Sequence, residues 1–295
     1  MSWILCEYKT NNRGKWYLLE FFKNINMDSS PITAFENQVG GHTFELQNQG
    51  MLHQGSWILK QLQDLGRGFK SIGWLICREK EVTFYSTIRE QYPEFTQWIA
   101  GFHGVKQVDN KGQFMILDDL TSGYEKPSVI DLKIGTKTWE DDAPQEKIDR
   151  ESKKYPLQRT IGFRLTGMRV YNREKQQFDL YDKKYGYSLT EETLNSMFAT
   201  YFSQVKQEYK KDVIQSIINQ LKPILEWFEV PGHLKFVCTS ILFILEGNTE
   251  TEYKPIVRLV DFAHVKQLSP NERDEGCIVG IKRIIHELTT LHTSL

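Results

Sequence analysis

Short apolar runs separated by Gly, Asn and charged residues dominate the first 120 residues. HTFEL (42–46), GSWILKQL (55–62), KSIGWLICR (70–78) and GQFMILDDL (112–120) are rich in Trp, Ile, Phe and Leu and predict strands. REKEVTFYSTIREQYPEF (78–95) instead scatters Val82, Phe84, Tyr85 and Ile88 among charges, which predicts a helix ended by Pro93. DLTSGYEKP (119–127) has the polar, turn-rich composition of a connector and is the candidate hinge between two lobes.

The second half alternates both periods. APQEKIDRESKKYPL (143–157) predicts a charged helix stopped near Pro156, and IGFRLTGMRVYN (161–172) a strand. SLTEETLNSMFATYFSQV (188–205) opens with Ser188 and Glu191 at capping-box spacing. In DVIQSIINQLKPILEWFE (212–229), Val213, Ile217, Ile218, Leu221, Leu225 and Phe228 form one stripe, the mark of a buried helix. LKFVCTSILFILEG (234–247) and PIVRLVDFAHV (255–265) read as strands, and Cys277 to Leu291 as an amphipathic helix through Ile281, Ile284, Ile285 and Leu288.

PSVIDLKIGTKTW (127–139) places an acid and a base, Asp131 and Lys133, two residues apart on an apolar run broken by Gly135. In a strand they share a face with Val129, while Ile130, Leu132 and Ile134 take the other. One reading is a half-buried strand with a wet outer face. The other is a carboxylate and an ammonium held above a phosphate site.

Composition narrows the choice. The 295 residues are 40% hydrophobic and 13% aromatic, enough for one large domain or two lobes with cores of their own. A net charge of −1 argues against binding nucleic acid through overall charge, so any affinity for phosphate needs a local cluster. The four cysteines are scattered without a CxxC, as in reduced intracellular chains. No run approaches 18 apolar residues, so the expectation is a soluble cytoplasmic or nuclear monomer without stable membrane association. HELTTLH has the wrong spacing for a zinc helix, DLGRGFKSIG lacks the phosphate-loop pattern, and there is no HRD or DFG.

Phosphoryl transfer requires cations on the phosphates, a carboxylate for Mg²⁺ and a positioned acceptor hydroxyl. Lys60 has the place of a phosphate-binding lysine, Glu81 that of its orienting partner, and Asp261 ends an apolar strand where a carboxylate can meet a metal. Asp118 and Leu120 lie in the connector, where backbone groups can read adenine.

In this order the residues resemble a known family. Pro127, Asp131, Lys133 and Gly135 match P-x-x-x-D-x-K-x-G, the signature of the inositol polyphosphate kinases. QVGGH (38–42), TSILFILEG (239–247), VDFAH (260–264) and DEGCIVGIKRII (274–285) resemble further family segments, so the likeness runs from about residue 37 to the end. It implies an α+β, two-lobed kinase-like fold. An antiparallel-sheet N-lobe would span 37–118, a hinge 119–127 and a larger C-lobe 128–295, with a helical inositol-phosphate-binding insert at about 140–160. Residues 1–36 have no counterpart.

The resemblance also implies roles. Lys60, held by Glu81, would contact the ATP phosphates, and Asp118 with the Leu120 backbone would hold adenine. Asp131 would bind the ribose or orient the acceptor hydroxyl, Lys133 would bridge acceptor and transferred phosphate, and Asp261 would ligate Mg²⁺ with Ser240 nearby. Arg169, Lys183 and His264 match positions near the inositol phosphates. If 144–155 is helical, Lys147, Arg150 and Lys154 share a face suited to a phosphorylated ring, diluted by Asp149 and Glu151.

Thr239 replaces the family's first serine in S-S-L-L, and Leu245 replaces a tyrosine. EKIDRESKKYPLQRTIGFRLTGMRVY looks most like the multikinase branch, whereas the preceding EDDA looks like the hexakisphosphate kinase branch. The resulting expectation is an ATP- and Mg²⁺-dependent kinase of soluble inositol polyphosphates, hexakisphosphate and lower phosphates included. The alternatives are a phosphoinositide headgroup kinase and a non-catalytic inositol-phosphate-binding scaffold.

Overall fold

The computed structural model describes residues 30–39, 51–62, 72–109 and 111–295, with backbone only for 72–79. HTFEL, most of QVGGH and residues 1–29 lie outside the described residues. Strands β1 (Thr33–Ala34), β2 (Met51–Gln54) and β3 (Trp57–Gln61) are followed by helix α1 (Ile72–Gln91) and a 3₁₀ turn (Pro93–Trp98). Then come β4 (Phe102–Val108) and β5 (Gly112–Asp118), completing a five-stranded antiparallel sheet ordered β1-β2-β3-β5-β4.

One expectation fails here, and one strand carries no clear sequence signal. IGWLICR (72–78), the described part of KSIGWLICR, is the start of α1, not a strand. A short apolar run carries too little periodicity to separate a strand from a buried helical turn, and the charged segment after it continues the same helix. β4 went unread because FHGVKQV is half polar and bulged, with Gly104 at φ 109°.

The connector leads into β6 (Pro127–Ile134). Helices α2 (Gln145–Lys154) and α3 (Gln158–Ile161) follow, then β7 (Phe163–Asn172), β8 (Gln177–Tyr181), α4 (Lys183–Ser188), α5 (Leu194–Tyr201) and the long α6 (Gln207–Glu229). Next are β9 (Leu234–Phe236), β10 (Ser240–Glu246), β11 (Ile256–Val260), β12 (Val265–Gln267) and α7 (Glu275–Ser294). The second antiparallel sheet runs β11-β10-β6-β7-β8, and β12 pairs with β9.

β6 is therefore central, and the wet-face reading of its sequence is wrong: Val129 and Asp131 are as buried as Ile130, Leu132 and Ile134. One face packs on the helices behind the sheet. α6 supplies Val213, Ile217, Ile218, Leu221 and Phe228 as read, with Ile214, Ile224 and Trp227 also buried and Leu225 only partly so. Burying such a stripe is worth about 1.5–3 kcal/mol per large side chain.

The capping box at Ser188 and Glu191 is not formed. Ser188 ends α4, where its hydroxyl donates to the Tyr185 carbonyl, and Glu191 pairs with Arg283. A tight Thr190–Thr193 turn leads into α5 instead. Both apolar stretches read as single strands are broken, at Cys238 (φ 66°) and Asp261 (φ 67°).

Candidate active site

The two sheets face each other across a cleft with a cavity of about 230 Å³. Val129, Leu242, Ile244 and Val260 form the floor, while Ile58, Leu117 and Ala100 face them from the first sheet's side. Residues 118–121 line one end and residues 35–39 another wall. The Asp118 carboxylate turns back to accept from the Gly101 amide at 2.9 Å and meets His103 Nε2 at 2.7 Å. Asp119 binds its own turn through the Thr121 amide and hydroxyl. The connector's backbone, Leu120 included, thus follows the pocket rim.

The wall at 35–39 was missed. Its signal was Gly167, whose Cβ would stand 1.7 Å from the Val39 carbonyl oxygen, so only glycine lets that segment lie on β7. Arg169 fixes the same segment. Its Nη1 donates to the Glu36 carbonyl at 2.6 Å, and its guanidinium stacks on Phe178 at 3.5 Å.

At the inner end of the cleft, Lys60 Nζ donates to Glu81 Oε1 and to Asp261 Oδ1, each at 2.8 Å. Glu81 shares the buried face of α1 with Phe84, Tyr85 and Ile88, and also accepts from the Phe262 amide at 3.2 Å. Phe262 stacks on Phe84 at 4.4 Å within a cluster containing Phe95 and Phe236. Each aromatic pair adds about 0.5–1.5 kcal/mol beyond its area. Thr239 Oγ1 donates to the Asp261 carbonyl at 2.9 Å. These contacts hold Asp261 in its left-handed conformation, which costs a non-glycine residue about 1–3 kcal/mol. Burial works to lower the Lys60 ammonium, but Asp261 and Glu81 outweigh it and hold its pKa raised. Burial likewise works to raise Asp261, and the charges of Lys60 and Lys133 leave it below its usual range.

Asp131 lies beside them on β6, opposite Leu242 and Gly167. Burial pushes its carboxyl up to about 6; Lys133 opposes the rise and Asp261 adds to it. Asp131 Oδ1, Ser240 Oγ and Thr166 Oγ1 are buried with no hydrogen-bond partner. Such orphaned atoms are costly unless something else meets them. Thr166 is the extra residue of the bulge between Asp131 and Leu132. Lys133 Nζ donates to the Cys238 carbonyl at 3.0 Å, so the kink at Cys238 orients the lysine. Gly135, at φ 106°, then turns the chain out of the strand.

Beyond Lys133 the charged residues spread out. Lys147 projects from α2, and its charge acts on both Cys238 and His264. Arg150 and Lys154 share the helix but are exposed, and both bind Glu151, Lys154 at 2.7 Å. Lys183 is exposed at the start of α4, which packs on the Leu165 end of β7. His264 Nδ1 lies 3.4 Å from Glu140. The structure therefore brings together Lys60, Glu81, Asp131, Lys133, Ser240 and Asp261, with Lys147 and His264 next to them. Arg169 is engaged with the 35–39 segment instead. Sequence reasoning passed over buried Arg164, paired in register with Lys133 and bonded to Gln158 at 3.2 Å.

Asp261 and Ser240 offer hard oxygen donors, with Asp131 beside them, and the described residues hold no cluster of three or more metal-ligating side chains. That set fits Mg²⁺, which takes one or two carboxylates and completes its shell with water and phosphate oxygens.

Two sheets joined by a connector, with a lysine–glutamate pair and a strand-end aspartate in the cleft between them, define a two-lobed kinase-like protein. The family model for inositol polyphosphate kinase matches residues 114–289, and the chain belongs to that family. It is 30% identical to the human inositol polyphosphate multikinase over 223 residues, 72% of this chain and 51% of that protein. It is 32% identical to the Arabidopsis thaliana multikinase alpha over 256 residues, 78% of this chain and 86% of that one. Thus it spans about half the length of the human relative. The fold is similar to the Saccharomyces cerevisiae multikinase Ipk2 solved with ADP and Mn²⁺, with TM-score 0.62 and 21% identity over 72% of this chain and 95% of that one.

Proposed function

We propose that this protein is an ATP- and Mg²⁺-dependent kinase that phosphorylates soluble inositol polyphosphates. One observation carries the reading: Asp131, buried and unpartnered at Oδ1, lies between Lys60–Asp261 on one side and Lys133 on the other. A purely structural strand would have no reason to bury a carboxylate there, with only the Ser240 and Thr166 hydroxyls and the Lys133 charge to offset its desolvation.

The apolar cleft takes the adenine, with the connector backbone at its edge. Lys60 spends two of its three N–H donors on Glu81 and Asp261, leaving the third for an ATP phosphate. Mg²⁺, held by Asp261 with Ser240, supplies charge neutralisation for the phosphates when bound. Lys133 keeps donors beyond its bond to Cys238 for the moving phosphoryl group. Asp131 accepts the proton of the attacking acceptor hydroxyl. Its raised basicity suits a general base that is still ionised at neutral pH. Rate enhancement comes mostly from positioning and charge. The acceptor lies beyond Lys133, toward Lys147, Arg164 and His264.

The test is Mg-ATP turnover of inositol trisphosphate, pentakisphosphate and hexakisphosphate in parallel, with products resolved by anion exchange. We expect transfer to at least one acceptor and none without Mg²⁺. Turnover of the hexakisphosphate means pyrophosphate formation, because that ring has no free hydroxyl. Tight acceptor binding with no transfer to any of the three contradicts the proposal and points to a scaffold.

A further inference from the structure

Glu140, the first acid of the EDDA stretch, sits where it has no part in the chemistry above. Its side chain is 17% exposed and meets three basic groups from separate elements. His264 Nδ1, after β11, is 3.4 Å away, Lys266 Nζ on β12 is 3.5 Å away, and Lys80 Nζ on α1 is 3.9 Å away. Lys147 on α2 acts on His264, as Lys80 does, through its charge. Asp142 shares Lys266 at 3.5 Å but is itself largely exposed. Asp141 is turned away, toward Lys137 and Lys235.

Three basic groups, from α1, the β11–β12 turn and β12, converge on one carboxylate next to the Lys133 end of the site. Burial holds the His264 imidazole below its usual pKa, so the cations here are Lys80 and Lys266. Without that carboxylate they would present a cationic pair with His264 as a further hydrogen-bonding group, a socket that is the usual answer to a phosphate group. With it, the socket is already partly neutralised, and a phosphate entering must displace or face a like charge. Like charges in a partly desolvated setting cost well over RT.

We propose that Glu140 is an internal stand-in for a substrate phosphate. By occupying the Lys80–His264–Lys266 socket, it sets acceptor preference against the most highly phosphorylated rings. The inference rests on the kinase reading of this cleft and adds a specificity determinant to it. Glu140 acts by competing for cations, so exchanging its charge should change discrimination between acceptors more than it changes turnover itself.

The experiment compares Glu140→Gln, Glu140→Asp and Lys266→Gln with the wild-type chain. It measures kcat/KM for inositol trisphosphate and hexakisphosphate under saturating Mg-ATP, and hexakisphosphate affinity by calorimetry. Glu140→Gln should raise the hexakisphosphate-to-trisphosphate ratio about tenfold and tighten hexakisphosphate binding by a similar factor, as expected for removing one facing like charge. Glu140→Asp should keep the wild-type ratio. Lys266→Gln, exposed and so tolerant of substitution, should lower it. A ratio unchanged in both Glu140→Gln and Lys266→Gln, with the wild type active, overturns the proposal while leaving the kinase reading intact. Should Glu140→Gln fail to fold, the Lys266→Gln ratio and affinity decide alone. A wild type that transfers phosphate to neither acceptor refutes the kinase reading itself.

Discussion

Two groups of charges border the cleft, and they are built differently. Lys60, Glu81 and Asp261 come from three distant segments, bond at 2.8 Å and are locked by a stacked aromatic cluster behind them. Lys147, Arg150 and Lys154 come from a single short helix with no buried residue, and two of them are tied to Glu151 of the same helix. The first arrangement fixes geometry and strongly biases protonation. The second leaves long, solvated side chains that can follow ligands of different shape. A step that moves a phosphoryl group needs the former; a face that only meets a ligand tolerates the latter.

The sharpest way to break the comparison is Lys60→Ala. It removes the counter-charge from buried Glu81 and from Asp261, and leaving a buried charge unpaired costs about 3 kcal/mol or more. Activity should fall by at least about a thousandfold and the urea midpoint should drop, read by steady-state kinetics and equilibrium unfolding.

Asp131→Asn should separate function from stability. The Asp131 carboxyl rises from 3.8 to about 6 on folding, so its neutral form is the one the folded chain favours. Below pH ~4 it is protonated in both states and costs nothing; the cost grows between pH ~4 and ~6 and is complete above, at about 3 kcal/mol. The asparagine variant should therefore be more stable than wild type at pH 7.5, equal to it near pH 4, and inactive throughout. Thermal unfolding across that range checks it. Wild-type kcat/KM should rise with pH through an apparent value near 6.

Gly167→Ala acts at one remove. Its new methyl group collides with the Val39 carbonyl and must lift the 35–39 wall from the nucleotide pocket. The KM for ATP should rise about tenfold, with the acceptor KM nearly unchanged. Lys154→Ala should have the smallest effect. Its present partner is Glu151, so stability should move by less than about 0.5 kcal/mol and acceptor KM values by a few-fold. Equal kinetics for all acceptors would make that part of α2 a solvated face only.

Much of this site was legible in the chain because phosphoryl transfer needs particular residue types at particular strand positions. Asp131 and Lys133 share a face, as their spacing of two requires, and Glu81 sits on the face of α1 defined by Phe84, Tyr85 and Ile88. What stayed hidden has physical causes. The kinks at Cys238 and Asp261 place non-glycine residues at positive φ, a choice made by surrounding contacts and not by local propensity. The 35–39 wall is held by Arg169 and Gly167, more than 120 residues away; the glycine marks a close approach, but nothing in the sequence says which segment makes it. Arg164 read as a strand residue because nothing in FRLTGMR marks which arginine faces Lys133. The strand assigned to KSIGWLICR failed since a short apolar run fits either period.

We propose that one cleft binds ATP and passes its γ-phosphate beyond Lys133 to an inositol polyphosphate. It is tested most directly by Lys133→Ala, with Mg-ATP affinity and phosphate transfer to all three acceptors measured on the same preparation. ATP affinity should stay within about threefold of wild type with no detectable product for any acceptor, because the proposed role of Lys133 is on the transferred group and not on the nucleotide. Measurable transfer by Lys133→Ala to any of the three would contradict it.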